Sequence, residues 1–251
     1  MSKKISLITV TFESAATLSG TIESVRRQNC SDVEYIVIDG GSTDGTKNIL
    51  ENNSDIVDKW ISEPDEGIYD AMNKGISLAS GDIIGFLHAD DVFATTSVLK
   101  TIKEKFIDSG IHILYGDLEY VHSDYPQKVI RYWRSGSFRR QQLRRGWMPP
   151  HPTVYVSRMF IQKVGYYNVN YRISADYEWL LRAFSSPSVK VEYLPEVMVR
   201  MRLGGVSNRS LKNLVAKSGE DLKALRENQV GGMRTLVLKN ASKISQFIRR
   251  N

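Results

Sequence analysis

The sequence predicts an α/β fold: a largely parallel, doubly wound sheet merged with a smaller mixed sheet, and a helical C-terminal extension. Three observations lead there. β-rich apolar runs alternate with helix-like segments through the first 110 residues, shorter strands with polar connections follow from about Ile113, and a helical pattern fills the chain after Gly204-Gly205.

The elements follow in order. Ile5–Thr11 reads as a strand, Leu18–Arg27 as a helix, Tyr35–Asp39 as a strand and Asp44–Glu51 as a short helix. Asp58–Ser62 is a short strand, Ile68–Ala79 a helix, Ile83–Leu87 a strand and Ser97–Ile107 a helix, which completes a βαβα series. Short strands are then expected at Ile113–Tyr115, Leu118–Val121 and Val129–Trp133, helices at Arg158–Val164 and Asp176–Ala183, and strands at Val189–Tyr193 and Val197–Met201. Leu211, Leu214, Val215, Leu222 and Leu225 share a helical stripe, Gly231-Gly232 breaks it, and Leu236, Ile244, Phe247 and Ile248 resume it. The chain divides at 1–110, 111–205 and 206–251.

At 251 residues and 41% hydrophobic content, the composition is that of an ordinary globular protein, which excludes disordered and fibrous classes. Cys30 is the single cysteine, so an internal disulfide is excluded, and no Cys/His cluster has zinc-finger spacing. A reducing, cytoplasmic compartment is expected. Met1-Ser2-Lys3-Lys4 has a signal-like basic flank, but the apolar run after it is only a strand's length. With no apolar stretch of about 20 residues, no membrane span is expected.

The net charge of +6 hides an uneven distribution. Residues 1–126 carry 10 basic and 21 acidic side chains, whereas 127–251 carry 24 and 7. Two surfaces with different partners follow from such a split, the basic one suited to nucleic acid, anionic lipid or phosphorylated substrates.

Ligands of open parallel sheets collect beyond the carboxyl ends of the strands. Those ends read Thr11-Phe12-Glu13, Asp39-Gly40-Gly41-Ser42, Glu63-Pro64-Asp65-Glu66-Gly67 and His88-Ala89-Asp90-Asp91. No glycine fingerprint and no lysine-bearing phosphate loop follows a strand, so neither a dinucleotide site nor an NTPase loop is supported. A carboxylate rim repels a polyphosphate unless a divalent cation intervenes. Asp90, with Asp91 or His88, has the chemistry to ligate Mg²⁺ or Mn²⁺; a loop that caps the next helix is the competing reading. Asp39 opens a turn that its glycines and Ser42 explain structurally, yet its carboxylate at the strand end is also placed to accept a hydrogen bond from a nucleobase.

Taken together, Ile5–Phe12, Glu34–Thr46, Ser62–Ile76, Ile83–Asp91, Ser174–Arg182 and Gly204-Gly205-Val206-Ser207 resemble the family 2 glycosyltransferases. The resemblance covers about residues 5–207 and is strongest to bacterial enzymes of surface-polysaccharide synthesis, of O-antigen or colanic-acid type. It implies a GT-A fold, with a nucleotide-sugar half at 1–110 and an acceptor half at 111–205. It also implies an inverting, metal-dependent transfer from a nucleotide sugar, UDP being favoured, to a lipid-diphosphate-linked saccharide. By the same resemblance Thr11, Glu13 and Asp39 line the base and ribose pocket, Asp65 and Asn73 support the donor site, Asp90 is the principal metal ligand, and Asp176 is the catalytic base. Three positions depart from the family pattern. His88 stands where the metal motif commonly begins with Asp, Met72 replaces a frequent arginine, with Lys74 nearby as a substitute phosphate contact, and Glu13 stands where Asn is frequent.

Other readings compete at particular residues. Asp176 before an amphipathic run also suits an N-cap. His151, between prolines, is either an acceptor-side group or merely exposed. The 204–207 loop suits a mobile lid or a helix-entry turn. Residues 127–147 hold seven Lys/Arg and no acid, interleaved with Tyr132, Trp133, Phe138 and Trp147. That composition suits peripheral contact with the anionic inner face of the cytoplasmic membrane, or a lipid diphosphate. It also suits single-stranded nucleic acid, so a non-catalytic nucleic-acid-binding protein is one alternative, contradicted by the carboxylate rim. A nucleotidyltransferase is another, lacking its usual glycine- and arginine-rich first loop. Oligomeric state is not legible.

Overall fold

The computed structural model describes residues 3–123, 125, 127–203 and 211–248. The 204–207 loop lies outside these residues. Strand β1 (Ile5–Thr11) lies between β2 (Val33–Asp39) and β4 (Ile83–Phe86), and β3 (Lys59–Ser62) pairs with β2, all in parallel. Helices α1 (Leu18–Arg26), α2 (Thr46–Glu51) and α3 (Ile68–Leu78) connect them. The chain builds outward from β1 to β3 and then returns to β4 on the other side. This reversal leaves a crevice beyond the carboxyl ends of β1 and β4.

Every residue of β1 is buried. Because side chains alternate across a strand, Ile8 and Val10 join a core beneath α3, while Ile5 and Leu7 join another with Leu18 and Ile22 of α1. A strand covered on both faces reads as a near-continuous apolar run. Glu34 is the buried exception: it accepts hydrogen bonds from Ser6 Oγ at 2.6 Å, Lys59 Nζ at 2.8 Å and Ser80 N at 2.8 Å. These contacts tie β1, β2, β3 and the turn before β4 together.

The expected smaller sheet is the far half of one continuous sheet. Strand β8 (Tyr155–Ser157) pairs antiparallel with both β4 and β6 (Ile113–Val121) and so joins the halves. Strand β9 (Val191–Arg202) runs parallel to β6, β5 (Asp91–Phe93) pairs antiparallel with β9, and β7 (Val129–Trp133) pairs with β6. At three residues each, β5 and β8 are too short to show periodicity. Segments expected as two strands, 113–115 with 118–121 and 189–193 with 197–201, are each one strand. Their shared register shift, from Tyr115–Tyr193 to Asp117–Val197, leaves residues 194–196 unpaired, among them Pro195, which lacks the N–H a ladder needs.

Helices α4 (Val98–Ser109) and α5 (Arg158–Val164) flank the sheet. Helix α6 (Ala175–Ser185) is buried on nearly every side, through Tyr177, Trp179, Leu180, Leu181 and Phe184 among others, as expected of a helix enclosed by the core. The C-terminal helices α7 (Leu211–Glu227) and α8 (Met233–Ile248) lie against this part of the core through Ala224, Leu225 and Leu236. Truncating a buried side chain as large as Trp179 to Ala costs about 3–5 kcal/mol. The position of α6 is therefore strongly fixed.

Candidate active site

At the end of β1, Thr11 is buried and its hydroxyl has no hydrogen-bond partner, an exception that marks this strand end. Phe12 beside it leaves its ring 63% exposed. Glu13 adopts φ 49°, and its carboxylate accepts the backbone N–H of Thr43 at 2.8 Å and the Thr43 hydroxyl at 3.0 Å. Glu13 thus braces the loop after β2. Asp39, fully buried, accepts Ser42 N at 2.9 Å and the hydroxyls of Ser42 and Ser62. Its carboxylate holds the ends of β2 and β3 in register. Gly40 is needed by what surrounds it: a Cβ there would lie 2.6 Å from Asp65 Oδ2 and 3.3 Å from the Phe12 ring. Asp65 also accepts Gly67 N at 2.8 Å. Phe12 and Asp65 therefore close on Gly40, the residue that follows Asp39 at the strand end.

Two other expected donor-site residues act through neighbours. Asn73 forms a two-point clamp on Tyr167, donating to its carbonyl at 2.9 Å and accepting its N–H at 3.0 Å. Lys74 pairs with Glu63 at 2.8 Å and Asp70 at 3.2 Å, tying α3 to the loop before it. Both carboxylates raise the Lys74 pKa.

His88 and Asp90 follow β4. The Asp90 carboxylate is half-buried and makes no hydrogen bond among the described residues. Burial lowers the His88 pKa despite the opposing pull of Asp90 and Asp176. The ring is therefore neutral at pH 7, the form that ligates metals. Among the described residues no group of three or more His, Cys, Asp or Glu could hold a metal. This donor set fits a Mg²⁺ or Mn²⁺ shared with donor phosphates and water, rather than a cation caged by protein alone. Asp91 is set apart. It is fully buried, and burial, then Asp90, pushes its pKa well up against the pull of the Arg202 charge and backbone N–H.

Asp176 is the second residue of α6, and the helix has no side-chain cap hydrogen bond. Its carboxylate instead meets the Tyr69 hydroxyl, 3.1 Å from Asp176 Oδ1 and 2.7 Å from the Ile173 carbonyl. Tyr69 stacks on Tyr167, whose hydroxyl lies 2.7 Å from His151 Nε2, and the His151 ring stacks on His88 at 6.1 Å. Burial lowers the His151 pKa to about 4, so this ring too is neutral at pH 7. An aromatic file thus runs from the end of β4 to the head of α6. From the other side, Glu220 of α7 accepts three successive backbone N–H groups, Arg172 at 3.0 Å, Ile173 at 2.9 Å and Ser174 at 2.8 Å. This carboxylate fixes the turn that presents Asp176.

Residues 6–168 match the family model described as Glycosyl transferase family 2. The chain belongs to that family. It is 31% identical over 207 residues to a PGL/p-HBAD biosynthesis glycosyltransferase of Mycobacterium bovis, covering 81% of this chain and 78% of the relative. Among solved structures it superposes on Staphylococcus aureus TarS in complex with UDP-GlcNAc with a TM-score of 0.70 at 15% identity, covering 90% of this chain and 66% of that one. It also superposes on a Pyrobaculum calidifontis mannosyltransferase in complex with GDP-Man and Mn²⁺, with a TM-score of 0.66 at 14% identity over 95% and 69% of the two chains. These likenesses show a shared GT-A fold. Membership of the family, not the fold, sets aside a non-catalytic nucleic-acid-binding protein and a nucleotidyltransferase.

In this glycosyltransferase the structure brings Thr11, Asp39 and Asp65 to one rim and places His88 and Asp90 at the neighbouring strand end. The charge of Asp176 reaches both His88 and His151. Tyr69, Tyr167 and Glu220 were not singled out from the sequence. Tyr69 meets Asp176 across 107 positions, and the partners of Glu220 are backbone groups 46 to 48 residues away.

Proposed function

We propose that the enzyme transfers a sugar, with inversion, from a UDP-sugar to a hydroxyl of a lipid-diphosphate-linked glycan in bacterial surface-polysaccharide synthesis, working peripherally at the inner face of the cytoplasmic membrane. One observation carries the reading: Asp176 stands at the same crevice as His88 and Asp90, held there by Tyr69. Proton removal and leaving-group stabilisation then act on one substrate pair.

Thr11 and Phe12 orient the base and ribose at the rim that Asp39 holds together through Ser42 and Ser62. Asp176 accepts the proton of the acceptor hydroxyl as that oxygen forms its bond to the anomeric carbon. On the opposite face the bond from that carbon to the diphosphate oxygen breaks, and the electron pair leaves with the nucleoside diphosphate. An α-linked donor gives a β-linked product. Asp90, with His88 beside it, would hold a divalent cation together with donor phosphates and water, and that cation would supply countercharge to the departing diphosphate.

The complexes of similar proteins support the donor class. TarS is solved with UDP-GlcNAc, the mannosyltransferase with GDP-Man, and the mycobacterial relative is named for PGL/p-HBAD biosynthesis. UDP follows from its frequency in the family. A screen of UDP- and GDP-sugars against a synthetic diphosphate-lipid acceptor, with the product linkage solved by NMR, tests the proposal. The expected result is one β-linked product from a UDP-sugar, with Asp176→Asn slowing kcat by about 10²–10⁴. Retention of configuration, or unaltered activity in Asp176→Asn, overturns it.

A further inference from the structure

Away from the strand ends, a cleft of about 870 Å³ opens between the 3-10 turn at Arg140–Arg145 and the first turn of α8. Arg144, Arg145 and Arg234 line it, and each side chain is exposed without an acidic partner among the described residues. Neither the turn nor α8 contains an acidic residue. Three uncompensated guanidinium groups around one opening repel each other and favour an anion. Their planar forks match phosphate oxygens.

The inner face of α8 is firmly seated. Thr235 donates to the Arg144 carbonyl at 3.0 Å, and Lys239 pairs with Asp221 at 2.6 Å while lying over the Tyr177 ring. Gly146, at φ 79°, lets the helix approach: a Cβ there would lie 2.6 Å from the Lys239 backbone. The outer face exposes Met233, Val237 and Leu238. Apolar groups beside arginines, without an acid among them, are what a helix lying in a bilayer interface presents. No helix among the described residues is long and apolar enough to cross a membrane.

We propose that this cleft and the outer face of α8 form a docking site for an anionic phospholipid bilayer. Arg144, Arg145 and Arg234 hold headgroup phosphates, while Met233, Val237 and Leu238 enter the acyl boundary. The site bears on catalysis through α6. Arg140 of the same turn bonds the carbonyl of Ser185 at one end of that helix, and Asp176 stands at the other, roughly 14 Å away at 1.5 Å per residue. Docking there would set the height of the catalytic base above the lipid surface. The proposal rests on the reading that the acceptor is lipid-linked.

The test is co-sedimentation of the full chain with phosphatidylcholine vesicles, with and without phosphatidylglycerol, alongside transfer to a short, detergent-dispersed acceptor. Wild type should pellet only with the anionic vesicles. The Arg144→Gln/Arg145→Gln/Arg234→Gln variant should bind them on the order of a hundredfold more weakly, at about 1 kcal/mol per basic residue, with transfer to the dispersed acceptor unchanged. Met233→Ser/Val237→Ser should remain attached at low salt and detach at high salt. Equal binding by the arginine variant, equal pelleting of wild type with neutral vesicles, or no pelleting overturns the docking site. So does binding of a single-stranded oligonucleotide, as tight as binding to vesicles and lost in the same variant. Absence of transfer from every donor overturns the proposed function instead, a separate readout on the same samples.

Discussion

The Tyr69 hydroxyl lies 3.1 Å from Asp176 Oδ1, joining the first turn of α3 to the head of α6. Its single proton is shared between that carboxylate and the Ile173 carbonyl. Burial, and then the charge of Asp176, keep the phenol protonated far above neutral pH. Tyr69 is thus a permanent donor that orients the base. Tyr69→Phe should reduce kcat about tenfold, in line with one hydrogen bond to a charged group, and leave the donor KM near wild type. Steady-state kinetics with one donor and acceptor pair checks this; a change confined to KM would place Tyr69 in substrate binding.

Glu220 holds the same turn from α7, and both of its oxygens are used. Glu220→Gln replaces one acceptor by an NH₂ facing an N–H donor. The expected loss is about 2 kcal/mol of stability, with a fall in kcat at constant KM because Asp176 is less well fixed. Urea unfolding and transfer kinetics, read on the same preparation, separate the two effects. Lost stability with unaltered kcat would make Glu220 purely structural.

What the sequence made legible follows from the range of the interactions. β1 to β4 and their helices are built by local periodicity and burial, and β1 appears with the expected bounds, Ile5–Thr11. The strand ends, with Asp39 and the His88–Asp90 pair, come from the same local logic. The single sheet was not legible, because β8 joins its halves with only three residues. Nor was the surround of Asp176. Tyr69 lies 107 positions from it, and Glu220 acts on main-chain N–H groups that carry no side-chain signature.

His88 carries a test of the metal reading. A neutral imidazole beside one carboxylate binds a hard cation less strongly than two carboxylates do. His88→Asp should lower the Mg²⁺ or Mn²⁺ concentration giving half-maximal transfer about tenfold, while Asp90→Ala should abolish metal-stimulated turnover. Titrating each cation into chelator-treated enzyme measures both. Equal metal dependence in all three proteins would rule out a cation at this strand end.

Glu34 gives the fold a defined acid limit. Burial alone would raise its pKa, but hydrogen bonds from Lys59, Ser6 and Ser80 outweigh that and bring it down to about 2 from the usual 4.5. The unfolded chain therefore binds this proton more readily than the native one. The contribution is complete above about pH 4.5 and is lost as pH falls towards 2. By linkage it is worth about 3 kcal/mol at neutral pH. Glu34→Gln should remove this pH dependence and destabilise the protein at pH 7, where a neutral amide leaves the Lys59 ammonium unpaired. Urea unfolding at pH 7, 4.5 and 3 should show wild type losing stability across the lower interval and the variant losing less. Parallel losses in the two proteins would assign the acid limit to other carboxylates.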